Sequence, residues 1–309
     1  AIQGTNAKRL VFSEADGLPG LIVDQYANFL VLQSRTAGIE AWKPVIVDLL
    51  QELVHPNGIL ERSDKEFREE EGLPPVSQVL AGAVPERLQI EECGRRFWGD
   101  PYHGQKTGFY LDQRQTRQRV RELIDSTARV ADVCAYTGAF GIAAASRGAR
   151  VVCVEQHEPF LELAKENARL NDAASRMDFV AGDAFYWLEA KANSRERFDW
   201  VCLDPPSLAK SKTEVFKGRR ALHHLVVNVG CSGFWPPWLS SSKEPPCSAA
   251  GPDSVPEPSK SPLCRLQPFT VWCATSWASV QYASRKFERL RRSPAWPALT
   301  PCRASSWAC

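Results

Sequence analysis

Asp132-Val133-Cys134-Ala135-Tyr136-Thr137-Gly138-Ala139-Phe140 is the stretch on which the reading of this chain turns. It closes an apolar run of strand length, Val130 to Cys134, and opens a helical stretch, Ala139 to Arg147. A glycine at such a corner lets the backbone come close to a ligand, and the first turn of the helix has N–H groups with no partner inside the helix. A corner without a ligand would use the same glycine, so the turn alone does not separate the two. It lacks the G-x-G-x-x-G spacing of dinucleotide-binding folds, which counts against NAD.

Downstream, Val151 to Glu155, Asp178 to Ala181 and Trp200 to Asp204 are further apolar runs of strand length. Pro159 to Leu170 and Ala184 to Ala192 have helical character, and Pro159 suits a first helical position, where an N–H would have no partner. Strands alternating with helices predict an α/β unit with a parallel sheet and right-handed crossovers. Such sheets bind ligands beyond the carboxyl ends of their strands. Glu155 lies seventeen residues past Gly138, where a carboxylate can accept from both ribose hydroxyls of an adenosine. Asp183, in Gly182-Asp183-Ala184, suits the adenine edge. Each acid alone would be an ordinary solvated strand end; together they point to one crevice.

The fourth run ends in Asp204-Pro205-Pro206-Ser207. Two prolines directly after a strand end its ladder and stiffen the backbone, because neither has an N–H to donate. That is either a rigid turn or a platform that holds a planar base, where rate comes from orientation.

Upstream of Asp100 the chain reads as mixed α and β. Leu21 to Tyr26 and Phe29 to Gln33 flank Ala27-Asn28 as a hairpin, and Leu88 to Cys93 and Arg96 to Trp98 flank Gly94 as another. Trp42, Val45, Ile46, Leu49, Leu50 and Leu53 recur at helical spacing and predict one apolar face. With 309 residues there is room for two domains, and 44% hydrophobic with 24% charged residues is ordinary globular composition. A net charge of +2 argues neither for nor against nucleic acid, and no stripe of aromatic and basic residues stands out along the chain. No apolar run approaches the length of a membrane span. The ten cysteines form no CxxC pair and no Cys/His ligand spacing, so no metal site is expected and the thiols read as reduced and cytoplasmic. Ala1 is read as a truncation point, the only methionine being Met177.

These runs together resemble the class I methyltransferase motifs. Three upstream segments narrow the resemblance to the RlmI-type family of large-subunit ribosomal RNA cytosine-C5 methyltransferases: Glu14 to Asp24, Glu61-Arg62-Ser63-Asp64, and Gly104-Gln105-Lys106-Thr107-Gly108-Phe109-Tyr110-Leu111-Asp112-Gln113-Arg114. The resemblance covers about Thr5 to Val229. It implies a class I (Rossmann-like) methyltransferase sheet, incomplete at its C-terminal end, preceded by a small α+β domain. Residues 1–100 are then the substrate or RNA side, 101–229 a partial methyltransferase domain, and 230–309 an aberrant tail expected to be disordered. The implied cofactor is S-adenosyl-L-methionine, with Lys106, Phe109, Asp112, Arg114, Asp132, Tyr136, Thr137, Gly138, Glu155, Asp183 and Asp204 around it. Lys106 to Arg114 would close over it, with Lys106 or Arg114 pairing with its carboxylate. Asp204, Pro205 and Pro206 would seat the target base. The implied partner is ribosomal RNA of the 23S type, in the cytoplasm, and a homodimer is left open.

Two departures bear on activity. Family members begin with an RNA-binding PUA domain, which Ala1 would follow. In the family a cysteine within a Ser-Cys-Ser run, on the strand after the one ending at Asp204, attacks C6 of cytosine; no such run exists here. Cys231 and Cys247 have the wrong neighbours, and Cys202 sits mid-strand, where a buried, inert thiol is expected. The resemblance therefore implies weak cofactor binding at best and no methyl transfer. The alternatives are methylation of an exocyclic amine, against which Ser207 stands where an aromatic would stack the base, and a non-catalytic RNA-binding protein.

After Val229 the texture breaks: 230–309 holds six of the ten tryptophans, six of the ten cysteines, twelve of the 22 prolines and four acidic residues. A reading-frame shift near Gly230 accounts for it. If Gly230 to Pro237 is encoded GGC-TGC-TCC-GGC-TTC-TGG-CCC-CCN, reading from the third base gives Leu-Leu-Arg-Leu-Leu-Ala-Pro, a helix end and turn. Sequencing the gene across codon 230 is expected to show this second frame running on; a DNA sequence without it removes the explanation.

Overall fold

A computed structural model describes residues 4–64, 68–194, 196–206, 208, 214–231 and 272–273. The N-terminal part is a five-stranded sheet of β1 (Ala7–Phe12), β2 (Leu21–Tyr26), β3 (Phe29–Ser34), β4 (Gly58–Ser63) and β5 (Val76–Gly82), in that spatial order. β2 and β3 form the expected hairpin, Tyr26 opposite Phe29, with Ala27 at φ 52° in the turn. β3 runs parallel to β4 through the crossover helix α1 (Ala37–Val54), and the other pairings are antiparallel.

Helix α1 lies on the sheet through Ile39, Ile46, Val47, Leu50 and Val54. The apolar face expected from sequence is therefore split: Ile46 and Leu50 face inward, while Trp42, Val45, Leu49 and Leu53 are exposed. The rotation is set by charge. Lys43 reaches down to Glu61, a fully buried carboxylate on β4, at 2.9 Å. Arg68 joins the network at 2.8 Å from Glu40, and Ser63 and Gln78 also donate to Glu61. A buried carboxylate without partners is far costlier than a few exposed apolar side chains, so satisfying Glu61 decides which face turns in.

A second hairpin, β6 (Leu88–Glu92) and β7 (Arg95–Gly99), turns through Cys93 and Gly94, both at positive φ. Two successive left-handed residues match the twist of the flanking strands. Beyond it come α2 (Arg114–Leu123) and the alternating unit: β8 (Arg129–Val133), α3 (Ala139–Ala145), β9 (Arg150–Glu155), α4 (Glu158–Leu170), β10 (Met177–Ala181), α5 (Ala184–Ser194), β11 (Trp200–Leu203) and α6 (Val215–Cys231). The strand order is β10-β9-β8-β11-β12, all parallel, where β12 is Trp272–Cys273. This is the α/β architecture that the strand–helix alternation predicts. The sheet order reverses direction between β8 and β11, which opens a crevice at their carboxyl ends. The tail and the incomplete sheet edge expected from residue 230 onward lie outside the described residues, apart from the end of α6 and β12.

One core runs through both parts. Tyr26 and Val31 of the first sheet, Phe97 of the hairpin, Phe109, and Val130 and Ile142 of the α/β unit belong to a single buried cluster. Arg117 of α2 lies inside it, 2% exposed, paired with Glu92 at 2.8 and 2.5 Å and donating to the Tyr110 carbonyl at 2.8 Å. Its guanidinium also packs on the rings of Phe109 and Phe140.

Removing one partner of a buried pair leaves an uncompensated charge. Arg117→Met is expected to cost about 3–5 kcal/mol in urea unfolding, and the double variant Arg117→Met/Glu92→Leu markedly less. Acid acts on the other network. Burial opposes the Glu40 charge, but hydrogen bonds from Arg68, Lys43 and Ser34 hold its carboxyl down to about 2, against 4.5 ordinarily. A depressed carboxyl stabilises the fold fully above about pH 4.5 and loses that contribution as pH falls toward 2. The urea midpoint followed across that window is expected to fall more steeply for the wild type than for Glu40→Gln.

Candidate cofactor and substrate site

The corner quoted above leaves β8 through an irregular backbone. Cys134, Tyr136 and Gly138 take φ of 61°, 50° and 71°. Left-handed conformations at non-glycine residues are uncommon and persist only where the surroundings hold them. Here Ala135 donates its N–H to the Val154 carbonyl at 3.0 Å, and the Tyr136 N–H goes to Glu155 Oε2 at 2.8 Å. Gly138 is required twice over. Its φ favours glycine, and a Cβ on it would come within 3.0 Å of the Ala164 Cβ on α4.

Glu155, at the end of β9, is 6% exposed and accepts one backbone N–H on each oxygen: Tyr136 on Oε2 and His157 on Oε1 at 3.0 Å. A carboxylate has about four acceptor positions, so two remain for hydroxyl donors. The Glu155 carbonyl in turn accepts the Gly182 N–H at 3.0 Å, which brings the end of β10 alongside. Asp183 caps α5: its Oδ1 accepts from Phe185 N at 2.8 Å and Tyr186 N at 3.2 Å, leaving Oδ2 available. The loop after β8 and the ends of β9 and β10 are therefore bonded neighbours, as the single-crevice reading requires.

Asp132 is 2% exposed beneath the corner, with Oδ2 accepting the Gly141 N–H at 2.7 Å; it braces α3 against β8. Thr137 is also buried, and its carbonyl accepts from Asn167 of α4. Asn167 exchanges both its amide groups with the Trp98 backbone, at 2.7 and 3.3 Å, so the hairpin is tied to the same corner. Nothing in the sequence marked Asn167; a polar residue in a helix is ordinary until its neighbours are known.

The strap from Gly104 to Leu111 lies against this corner. The Tyr136 hydroxyl donates to the Gly108 carbonyl and accepts the Gln105 N–H, both at 2.9 Å. Tyr136 also packs edge-on to Tyr110 and Phe160. A Cβ at Gly104 would fall 2.5 Å from the Tyr136 hydroxyl, so the strap is this close only because glycine stands there. The strap's other face is held by Thr107, which donates to the buried Asp24 at 2.5 Å and lies 2.7 Å from the Tyr26 hydroxyl. Asp24 is itself gripped by Arg9 at 2.7 and 2.9 Å. Phe109 is placed in the core, its ring 5.3 Å from that of Phe97, and supports the strap from below. Lys106 is exposed, with its ammonium 6.0 Å from the Tyr110 ring centre. Arg114 opens α2, and among the described residues its guanidinium makes no ion pair or hydrogen bond.

Asp204 follows β11 across the crevice, its N–H going to the Val133 carbonyl at 3.3 Å. Pro205 is buried and Pro206 exposed; Ser207 lies outside the described residues. Burial, with Asp112 nearby, pushes the Asp204 carboxyl up to about 7 against the pull of Arg117 and Lys106. Burial does the same to Asp132, also to about 7, helped by Asp204 and Glu155. Among the thiols, burial lifts Cys134 to about 12 and Cys202 well above the usual thiol range, so Cys202 is buried and protonated as expected.

A family profile described as S-adenosylmethionine-dependent methyltransferase matches residues 72–235. The chain belongs to this family. Within it, the ribosomal RNA large subunit methyltransferase I of Aeromonas salmonicida is 42% identical over 216 residues, covering 69% of this chain and 54% of that protein. The protein of the same name from Yersinia pseudotuberculosis is 35% identical over 249 residues, 75% of this chain and 63% of its own length. The chain thus spans a little over half the length of these relatives, and its family is the RlmI type. Among solved structures, SMU.776, put forward as a methyltransferase and crystallised with SAH, superposes at a TM-score of 0.64 with 24% identity, covering 74% of this chain and 59% of that one. That likeness shows the fold.

Family membership makes S-adenosylmethionine the cofactor, and the donor set fits it: a carboxylate with two acceptor positions left, a second acid at the next strand end, and uncommitted cations on the strap and at the start of α2. Below about pH 7 Asp132 and Asp204 are neutral, and above it they are charged. A sulfonium cation gains attraction from that change, whereas the neutral thioether product does not. Titrations from pH 6 to 8 are expected to tighten binding of S-adenosylmethionine by about threefold or more relative to S-adenosylhomocysteine; parallel pH profiles for the two would refute it.

Proposed function

We propose that this chain carries the cofactor-binding and base-seating parts of a methyltransferase acting on C5 of a cytosine in large-subunit ribosomal RNA of the 23S type. The observation that carries it is the convergence of Glu155 and the strap on one corner through Tyr136, whose N–H goes to Glu155 and whose hydroxyl holds Gly108 and Gln105. The names of the relatives supply the RNA class, and the resemblance of the strap and of the run Asp204 to Ser207 supplies the base.

In this proposal Glu155 accepts the ribose hydroxyls, and Asp183 Oδ2 takes the adenine edge. Arg114 and Lys106 pair with the cofactor's carboxylate. S-adenosylmethionine, when bound, supplies an electrophilic methyl group. Pro205 and Pro206 keep the chain after β11 stiff, so that Asp204 meets a base at a fixed height. Asp204, whose carboxyl burial pushes up to about 7, can donate to or accept from the Watson–Crick edge of that base.

C5 of cytosine becomes nucleophilic only after a thiolate adds at C6. Among the cysteines whose side chains are described, Cys153 and Cys202 are buried and Cys134 is held protonated up to about 12. Cys93 is exposed on the turn of the β6–β7 hairpin. The proposal therefore includes cofactor binding without methyl transfer in this chain. Isothermal titration is expected to give weak but saturable S-adenosylmethionine binding, lowered tenfold or more by Glu155→Ala and less by Glu155→Gln. Tritium release from RNA labelled at cytosine C5 is expected to stay at background. Release at enzymatic rates would overturn the inactivity, and absence of any cofactor heat would overturn the site assignment.

A further inference from the structure

Two helices packed on one face of the parallel sheet bring together residues that are about thirty positions apart in the chain. α5 begins at the Asp183 cap, and its first turn carries Phe185 and Tyr186, whose N–H groups both go to Asp183 Oδ1. Tyr186 is 77% exposed. α6 lies beside it and presents Phe216, 71% exposed, with Lys217, Arg220 and His224 on the same side. Phe216, Lys217, Arg220, Ala221 and His224, with Phe185 of α5, line a cleft of about 450 Å³, within the range of ligand-sized sites. The opposite side of α6 is anchored: Leu225 is fully buried against Leu188, Val201 and Leu203. The His224 ring stacks on that of Phe185 at 6.1 Å and 27°.

The chemistry of this face is uneven. Residues 215–231 hold Lys217, Arg219 and Arg220 and no acidic residue, on a chain whose net charge is only +2. The Phe216 ring stands exposed beside Lys217 and Arg220, and Tyr186 is exposed one position along from Phe185, which lines the same cleft. An acidic protein would be met by the cations alone; exposed ring faces beside them suit unstacked bases on a phosphate backbone, because base–aromatic stacking and phosphate pairing are separate terms. The Asp183 cap places the aromatic turn directly at the rim of the cofactor crevice, so a strand lying here would lead toward Asp204. We infer that the α5–α6 face is a docking surface for single-stranded RNA, with Tyr186 and Phe216 stacking bases and Lys217 and Arg220 pairing with phosphates. This rests on the RNA-substrate proposal above and adds where the strand lies. The sequence showed no aromatic-and-basic stripe because the aromatics of α5 and the cations of α6 meet only in the fold.

The test is fluorescence anisotropy of the full chain with a labelled twelve-nucleotide single-stranded RNA of mixed sequence at several salt concentrations. S-adenosylmethionine titration of each variant serves as a folding control. Lys217→Glu/Arg220→Glu is expected to weaken RNA binding tenfold or more and to reduce the salt slope by about 1.4, from two phosphate contacts. Tyr186→Ala/Phe216→Ala is expected to weaken it about fivefold or more with the slope unchanged. Cofactor binding should be retained in both. Wild-type binding that neither pair alters overturns this surface and leaves the RNA substrate standing. Loss with the charge pair alone marks a general polyanion surface and overturns the stacking assignment. A wild-type chain that binds cofactor but no RNA overturns the RNA substrate itself.

Discussion

Tyr136 makes three polar contacts that no other residue type reproduces from one position. Its N–H meets Glu155, and its hydroxyl donates to Gly108 and accepts from Gln105. The ring is held nearly perpendicular to those of Tyr110 and Phe160, which orients the hydroxyl. Holding a tyrosine at φ 50° costs conformational energy, which the surrounding bonds offset. The return is a corner, a carboxylate and a strap whose mutual positions are set before any ligand enters. Preorganised donors and acceptors are what an adenosine site needs, because mobile ones would lose in ordering what they gain in contact.

The same clamp explains why the first sheet belongs with the second. Thr107 fastens the strap to Asp24, and Asp24 is itself fastened to Arg9 of β1. Arg117 then joins the hairpin to the strap from the other side through Glu92 and the Tyr110 carbonyl. A strap held on both faces is fixed relative to both sheets.

Electrostatics give the crevice its character. Asp132, Asp204 and Glu155 share a poorly solvated region, and two of them shift toward neutrality as a result. Glu155 accepts one backbone N–H on each carboxylate oxygen.

The strand–helix alternation, the corner at Gly138 and the acids at Glu155, Asp183 and Asp204 were legible in the linear chain, because period and punctuation are local properties. Phe185 beside His224, Asn167 beneath Thr137 and the pairing of Lys43 with Glu61 were not, since each joins segments whose distance in the chain says nothing of their distance in space. Helix α1 shows the limit most clearly: its apolar residues fill a stripe too wide for one face, and a buried carboxylate on another strand chose between them. By itself, then, the sequence determined the class of fold and the identity of the groups at the strand ends. The tertiary structure alone decided which faces turn inward and which distant side chains share a surface, because burying charge and closing a core are settled by all segments at once.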